Sequence, residues 1–116
     1  MKVGDYVRTK DGIIGTLYGN YAYDENQLAI LTKSNENGVE YTQEYSKDEI
    51  INSSPNIIDL IEVGDYVNGS YVEGFIEKNK FQNKLIITEA GMIDNNDIKS
   101  IVTREMFESM EYKVKE

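Results

Sequence analysis

A five-residue segment that occurs twice is the strongest constraint on how this chain can fold. Val-Gly-Asp-Tyr-Val lies at positions 3–7 and again at positions 63–67 of a 116-residue chain. Five identical residues in the same order indicate an internal repeat rather than a coincidence. The repeat divides the chain into residues 1–61 and 62–116. Because two modules of that size would each be marginally stable alone, we expect them to pack against each other or to share a strand.

Each copy of the repeat is followed by the pattern of a β-hairpin. Asp11-Gly12 follows the first copy and Asn68-Gly69 the second. Both dipeptides favour tight hairpin turns because they accept positive φ angles, and β-branched or aromatic residues flank them. Gly15 and Gly74 fall within the second strand of each hairpin, where glycine is typical of a bulge or a bend in a small barrel.

The two segments also end alike, in a strand, a short helix and a further strand. Ser54-Pro55 is a helix-start signal, and Thr103 is a candidate helix cap. The predicted elements are strands over 48–53 and 97–102, helical turns over 56–61 and 104–110, and final strands over 62–67 and 111–114. The sequence therefore predicts a mostly-β chain of two fused small barrels.

Further strand patterns occur in both halves of the chain. Strands are predicted over residues 27–33, 39–45 and 84–89, and the dipeptide Asn37-Gly38 favours a hairpin. Residues 39–45 alternate, which would place Glu40, Thr42 and Glu44 on one face and Tyr41, Gln43 and Tyr45 on the other.

Asp5 and Asp65 recur at the same place in both modules. A repeated carboxylate is a candidate site, but in a Gly-Asp turn before a strand its side chain more commonly accepts backbone N–H groups. We therefore expect a structural role for these two residues.

The composition excludes several kinds of chemistry. The chain contains no Cys and no His, which removes disulfides, Cys nucleophiles, His general bases and the usual zinc ligands. The sequence contains no serine elbow and no phosphate-binding glycine loop. Its acidic clusters lack the alternating pattern of a calcium loop. We expect no enzyme, no cofactor and no metal site.

The charge balance bears on the class of partner. Twelve Lys and Arg residues stand against 21 Asp and Glu residues, for a net charge of −9. This excess of acid opposes binding to nucleic-acid backbone and permits a basic protein partner; solubility alone is the alternative. The sequence has no apolar run long enough for a membrane span and no signal-peptide core, so we expect a cytoplasmic protein that does not bind membranes.

Tyrosine is frequent, with nine residues. Tyrosine supplies a large, rigid contact surface with a polar tip, although strands also favour it for packing. Several of these residues flank Gly19-Asn20 and are followed by acidic residues. The residues predicted to contact a partner are Tyr18, Tyr21, Tyr23, Asp24, Glu25, Glu40 and Glu44.

Two resemblances add to this pattern. Residues 3–15, VGDYVRTKDGIIG, resemble SH3-like and KOW-like barrels, in which a Gly-Asp-x-Val strand leads into a turn. Residues 54–69 and 97–108 resemble small, mostly uncharacterised proteins of phages and prophages in low-GC Gram-positive bacteria. These resemblances imply two SH3-like barrels, a viral or mobile-element origin and no catalytic residues. Residues 18–46 match the phage proteins poorly.

Three functions fit these observations. The first is a non-enzymatic phage or prophage accessory protein that binds a host or phage protein. The second is an anti-defence inhibitor whose acidic surface mimics nucleic acid, or which sequesters a ligand. The third is nucleic-acid binding through the barrels, which the deficit of Lys and Arg opposes.

Overall fold

The computed structural model describes residues 1–21, 24–33, 38–77 and 84–110. The chain divides into two compact units, residues 1–60 and 61–116, one residue from the boundary expected from the repeat. Each unit contains one five-stranded antiparallel sheet. The described residues include one α-helix and three short 3₁₀ turns. The prediction of a mostly-β chain with two small, barrel-like sheets is confirmed.

The first unit is built on strands β1 to β5. In sheet order they run β4-β3-β2-β1-β5. Their bounds are Tyr6–Thr9 for β1, Ile14–Tyr21 for β2, Asp24–Lys33 for β3, Glu40–Ser46 for β4 and Ile50–Ser54 for β5. A 3₁₀ turn, Lys47–Glu49, separates β4 from β5, and a second one, Ile57–Leu60, ends the unit.

The second unit is built on strands β6 to β10 and helix α1. In sheet order the strands run β10-β6-β7-β8-β9. The bounds are Tyr66–Val67 for β6, Ser70–Ile76 for β7, Leu85–Thr88 for β8, Gly91–Ile93 for β9, Ile101–Val102 for β10 and Arg104–Met110 for α1. A 3₁₀ turn, Asn95–Asp97, lies between β9 and β10.

The two sheets have the same strand order. In each, the strand that carries the repeated Tyr-Val pair lies between its hairpin partner and the last described strand of its unit. Tyr6 is opposite Thr16 on β2 and Ser54 on β5. Tyr66 is opposite Tyr71 on β7 and Val102 on β10. The pentapeptide thus marks the same place in two copies of one topology.

The repeated valine is buried in both units. Val7 and Val67 are both fully buried. In the first unit Val7 joins Leu17, Leu28, Ile30 and Tyr45, with Ile13 and Ile50 packed against them. In the second unit Val72 and Ile86 are also fully buried.

The hairpin turns predicted after the two copies of the repeat are present, whereas Asn37 of the third predicted turn lies outside the described residues. Asn68 and Gly69 have φ angles of 53° and 82°, and they join Val67 to Ser70 across the two-residue turn. These positive angles explain why Asn-Gly occupies the turn. In the first unit Gly12 has φ 86°, and its N–H donates to the carbonyl of Thr9.

The aligned glycines Gly15 and Gly74 have different roles. The β7–β8 register shifts between Val72 and Gly74, as expected for a bulge. No register shift occurs at Gly15, so it does not lie at a bulge. A Cβ at position 15 would collide with the carbonyl of Leu31 and lie 2.7 Å from Cγ2 of Ile30. Glycine is needed at position 15 because β3 passes so close.

Three predicted strands begin two to four residues later than expected. Of residues 62–67, only Tyr66–Val67 form a strand. The other two strands were predicted over 48–53 and 97–102. Residues 48–49 belong to a 3₁₀ turn because the Glu49 carboxylate accepts the N–H of Ser46 at 3.1 Å. The second of these strands starts at Ile101 rather than at residue 97. The carboxylate of Asp94 accepts the N–H groups of Asn96 and Asp97, which favours a turn.

The helix predicted after Thr103 is confirmed as α1. The Thr103 hydroxyl accepts the N–H of Met106 at 3.3 Å, as an N-cap residue does. The ring of Phe107 on α1 stacks on Tyr66, with ring centroids 5.2 Å apart. The strand predicted over 111–114 lies outside the described residues.

Candidate functional site

The repeated aspartates are structural, as the sequence predicts. The carboxylate of Asp5 accepts the N–H of Lys2 at 2.9 Å. In the second unit the carboxylate of Asp65 accepts the N–H of Glu62 at 2.8 Å and that of Arg104 at 2.8 Å. Both side chains stabilise the turn before a repeat strand. We therefore do not assign a partner site to the repeat.

Gly4 and Gly64 complete the same turn. Their φ angles are 94° and 97°, a region in which residues with a Cβ are strained. The N–H of Gly4 donates to Leu17, and the N–H of Gly64 donates to Val72. The turn is therefore the same in both units down to its backbone hydrogen bonds.

A polar network lies beside the core of the first unit. Thr9 donates to the carboxylate of Asp11, and the Tyr45 hydroxyl donates to the same carboxylate at 3.4 Å. Burial, and secondly the negative charge of Asp11, raise the pKa of Tyr45 to about 12. The network holds a neutral phenol and joins β4 to the β1–β2 turn, so it stabilises the sheet rather than presenting a reactive group.

The first unit also contains a fully buried arginine. Arg8 on β1 is 0% exposed, and its Nη1 donates to the carbonyl of Leu60 at 3.0 Å. This bond joins the repeat strand to the 3₁₀ turn that ends the unit. Arg8 therefore acts as a structural cation in the first unit.

Strand β4 presents the predicted acidic residues on one face. Along the β3–β4 ladder, Leu28 and Ile30 are buried opposite Tyr45 and Gln43. Opposite residues of an antiparallel pair share a face, so the odd-numbered residues of β4 lie on the core side. Glu40, Thr42 and Glu44 consequently lie on the other side, which we call the outer face. The alternation predicted from the sequence is confirmed.

Tyr18 lies on the outer face of the same sheet. The β2–β3 register shifts between Leu17 and Gly19, which leaves Tyr18 as the extra residue of a β-bulge. Leu17 is 5% exposed in the core, whereas the side chain of Tyr18 is 65% exposed. A bulge redirects a side chain in this way. Gly19 pairs with Ala29, which pairs in turn with Glu44, so Tyr18 is close in sheet position to Glu44.

The remaining predicted contact residues are described only in part. Tyr21 ends β2 and is opposite Asp24, the first residue of β3, and Glu25 follows it. For these three residues the structure describes the backbone position in the sheet. Tyr23 lies outside the described residues. The structure therefore brings Tyr18, Glu40 and Glu44 to one face and adds the backbone positions of three others.

The sequence interpretation missed two exposed residues, one just before β4 and one near its start. Val39 is 58% exposed, and Tyr41 is 43% exposed although it lies on the core side of the sheet. The alternation placed Tyr41 on the face opposite Glu40 and Glu44 and did not predict its exposure. It is exposed because it lies near the loop end of the β3–β4 hairpin, opposite Thr32 and beyond the last buried residue of β3, Ile30.

Two further features limit the kinds of site in the described parts of the chain. No group of three or more acidic residues there is arranged to hold a metal ion. The described helices are all too short and too polar to cross a membrane.

Comparison with known proteins gives no relative for this chain: no family model matches it, and no curated protein or solved structure does.

Proposed function

We propose that this chain is a non-enzymatic accessory protein of a phage or prophage that binds a host or phage protein. The contact surface is the outer face of the first sheet, defined by Tyr18, Glu40, Thr42 and Glu44. The observation that carries the proposal is the β-bulge that exposes Tyr18 on the face that also presents the two glutamates.

The chemistry of this face supports a protein partner. Tyrosine is enriched among residues that dominate binding energy because it buries a large rigid area at low entropic cost. Acidic residues around it favour a basic partner and oppose contact with nucleic-acid phosphates. A tyrosine side chain has only two χ angles to fix, so it loses little freedom on binding.

The biological context rests on the sequence resemblance. Residues 54–69, which resemble phage and prophage proteins, run from the 3₁₀ turn that ends the first unit into the repeat turn and strand of the second unit. Residues 97–108, which also resemble them, include β10 and the capped helix of the second unit. The outer face lies in residues 18–46, which match those proteins poorly. A shared scaffold with an individual contact surface fits an accessory protein whose partner differs from one phage to another.

Affinity capture tests this proposal. The tagged protein is used to capture partners from Gram-positive host lysates, with and without phage infection, beside the variants Tyr18→Ala and Tyr41→Ala. Both tyrosines are exposed in the same sheet but lie on opposite faces, so Tyr41→Ala is the matched control. We expect Tyr18→Ala to lose a specific partner that Tyr41→Ala retains.

Equal recovery of every partner by Tyr18→Ala would show that the outer face is not the contact surface. Recovery of nucleic acid instead of protein, in a manner that falls steeply with salt, would support the barrel as a nucleic-acid binder and overturn the proposal.

A further inference from the structure

Strand β4 lies at one edge of the first sheet. Among the described strands it pairs with β3 alone. Its first five residues, Glu40 to Glu44, are all exposed. An edge strand with exposed residues has backbone groups that can pair with another chain, and proteins use such edges to bind extended segments.

The far end of β4 shows which backbone groups point outward. The N–H of Ser46 donates to the side chain of Glu49 at 3.1 Å. The N–H groups of alternate residues in a strand point to the same side. Thr42 and Glu44 therefore direct their backbone N–H and C=O groups away from β3.

The pairing of β1, β2 and β3 leads to the same conclusion about which backbone groups of β4 point outward. The N–H of Leu17 bonds to Asp5 on the β1 side of β2, so its neighbour Thr16 faces β3, where it is opposite Leu31. The backbone N–H and C=O groups of Leu31 therefore point toward β2, and those of its neighbour Ile30 point toward β4. Its opposite residue on β4 is Gln43, which leaves the even-numbered residues of β4 facing outward.

The side chains at this edge define the charge of a suitable partner. Glu40 and Glu44 lie on one face, about 13 Å apart along the strand. In an added strand, the residues opposite them would lie on the same face, within contact distance of both carboxylates. Basic residues four positions apart would satisfy this spacing in either strand direction.

A second copy of this chain is a poor occupant of the same edge. Antiparallel pairing of two β4 strands centred on Thr42 would place Glu40 of one copy opposite Glu44 of the other. Like charges directly opposite are destabilising, and charged edges are a common device against self-association. The edge therefore favours a basic partner over a second copy.

We propose that the β4 edge binds an extended segment of a protein partner as an additional strand, with Lys or Arg opposite Glu40 and Glu44. This inference rests on the proposed function, since it names the partner chemistry of the same outer face. The outward backbone groups of Thr42 and Glu44 supply the hydrogen bonds, and the two carboxylates select basic residues.

The test uses two soluble peptides of about nine residues, close to the common length of a strand. Both alternate valine with polar residues; one has lysine at two positions four apart, and the other has glutamate there. Binding to the full chain is measured by calorimetry and by NMR shifts of backbone amides. We expect the lysine peptide to bind and to shift the amides of residues 40–44, and the glutamate peptide to bind at least about tenfold more weakly.

Two variants locate the site. Thr42→Pro removes an outward N–H but no β3–β4 hydrogen bond, and proline is tolerated at such edge positions; we expect it to abolish binding. Glu40→Lys combined with Glu44→Lys should reverse the preference toward the glutamate peptide. Glu73→Lys combined with Glu89→Lys changes the net charge equally at exposed positions of the second unit and should leave the preference unchanged.

Several outcomes would overturn strand addition. They are equal binding of both peptides, retained preference for lysine in the Glu40→Lys, Glu44→Lys variant, or a dimer of the wild-type chain that Thr42→Pro dissociates. Lysate capture separates this inference from the proposed function. If Tyr18→Ala loses the partner but the lysine peptide does not bind, the outer face remains the contact surface and strand addition is rejected. If Tyr18→Ala retains the partner and the lysine peptide binds, strand addition stands and the outer face around Tyr18 is rejected.

Discussion

Asp65 accepts the backbone N–H of Arg104 at 2.8 Å across 39 residues of sequence. This bond connects the repeat turn of the second unit to the first turn of helix α1. Asp5 holds the equivalent place in the first unit, where its one described side-chain hydrogen bond is with Lys2, three residues away. The same residue of the repeat therefore has a local role in one unit and a long-range role in the other.

We expect Asp65→Asn to destabilise the chain more than Asp5→Asn. Asp65 is fully buried and accepts two backbone N–H groups, and an amide presents a donor to one of them. A loss of about 2–3 kcal/mol in the free energy of unfolding is expected for Asp65→Asn, against about 1 kcal/mol for Asp5→Asn. Urea unfolding followed by circular dichroism measures both. Equal losses would mean that the bond to Arg104 contributes nothing.

The aligned glycines should respond differently to alanine. Gly15→Ala places a Cβ against the carbonyl of Leu31 and the side chain of Ile30, and such overpacking costs about 1–3 kcal/mol. Nothing lies within 4 Å of a Cβ at Gly74, so Gly74→Ala should stay within about 0.5 kcal/mol of the wild type. Thermal unfolding of the two variants compares them directly. The close approach of β3 to β2 would be contradicted if Gly15→Ala were as stable as Gly74→Ala.

The adjacent residues Leu17 and Tyr18 should separate stability from binding. Leu17→Ala removes a buried side chain and is expected to cost about 2–5 kcal/mol. Tyr18→Ala changes an exposed side chain and should alter stability by about 0.5 kcal/mol at most. Chemical denaturation gives both values. Strong destabilisation by Tyr18→Ala would show that this tyrosine packs within the unit and is not held out for a partner.

Stability should fall at high pH in a way that depends on Tyr45. Its pKa is raised from 10.0 to about 12 by burial and by Asp11, so the folded state holds the proton more tightly than the unfolded chain. The resulting stabilisation is fully present below pH 10 and is lost as the pH rises through about 12.

The measurement is the urea midpoint between pH 9 and pH 12 for the wild type and for Tyr45→Phe. Because the other titrating groups are common to both proteins, their difference isolates Tyr45. We expect the wild type to lose more stability than Tyr45→Phe over this range. Parallel curves for the two proteins would contradict the raised pKa.

The sequence predicted the features that depend on neighbours along the chain. The Asn68-Gly69 turn, the Thr103 cap and the alternation of β4 are each determined by residues within a few positions of one another. Some strands were predicted too long, and the reason is also local. Glu49 and Asp94 bind backbone N–H groups with their side chains, and this competition with strand pairing is not visible in an apolar–polar pattern.

The contact surface could be predicted only in part because it depends on pairing between strands. The composition marked Tyr18 as a contact residue, but its exposure results from the register shift against β3. Gly15 resembles Gly74 in the sequence, and only the approach of Leu31 distinguishes them. Nothing in residues 14–19 alone specifies which of β2 and β3 takes the extra residue.

The common strand order of the two units has an evolutionary consequence. Two sheets with one connectivity and one shared pentapeptide are the expected product of tandem duplication followed by divergence. The β3 and β4 strands have ten and seven residues, whereas their counterparts β8 and β9 have four and three. Duplication would leave one copy to preserve the ancestral scaffold while selection remodelled the long hairpin of the other.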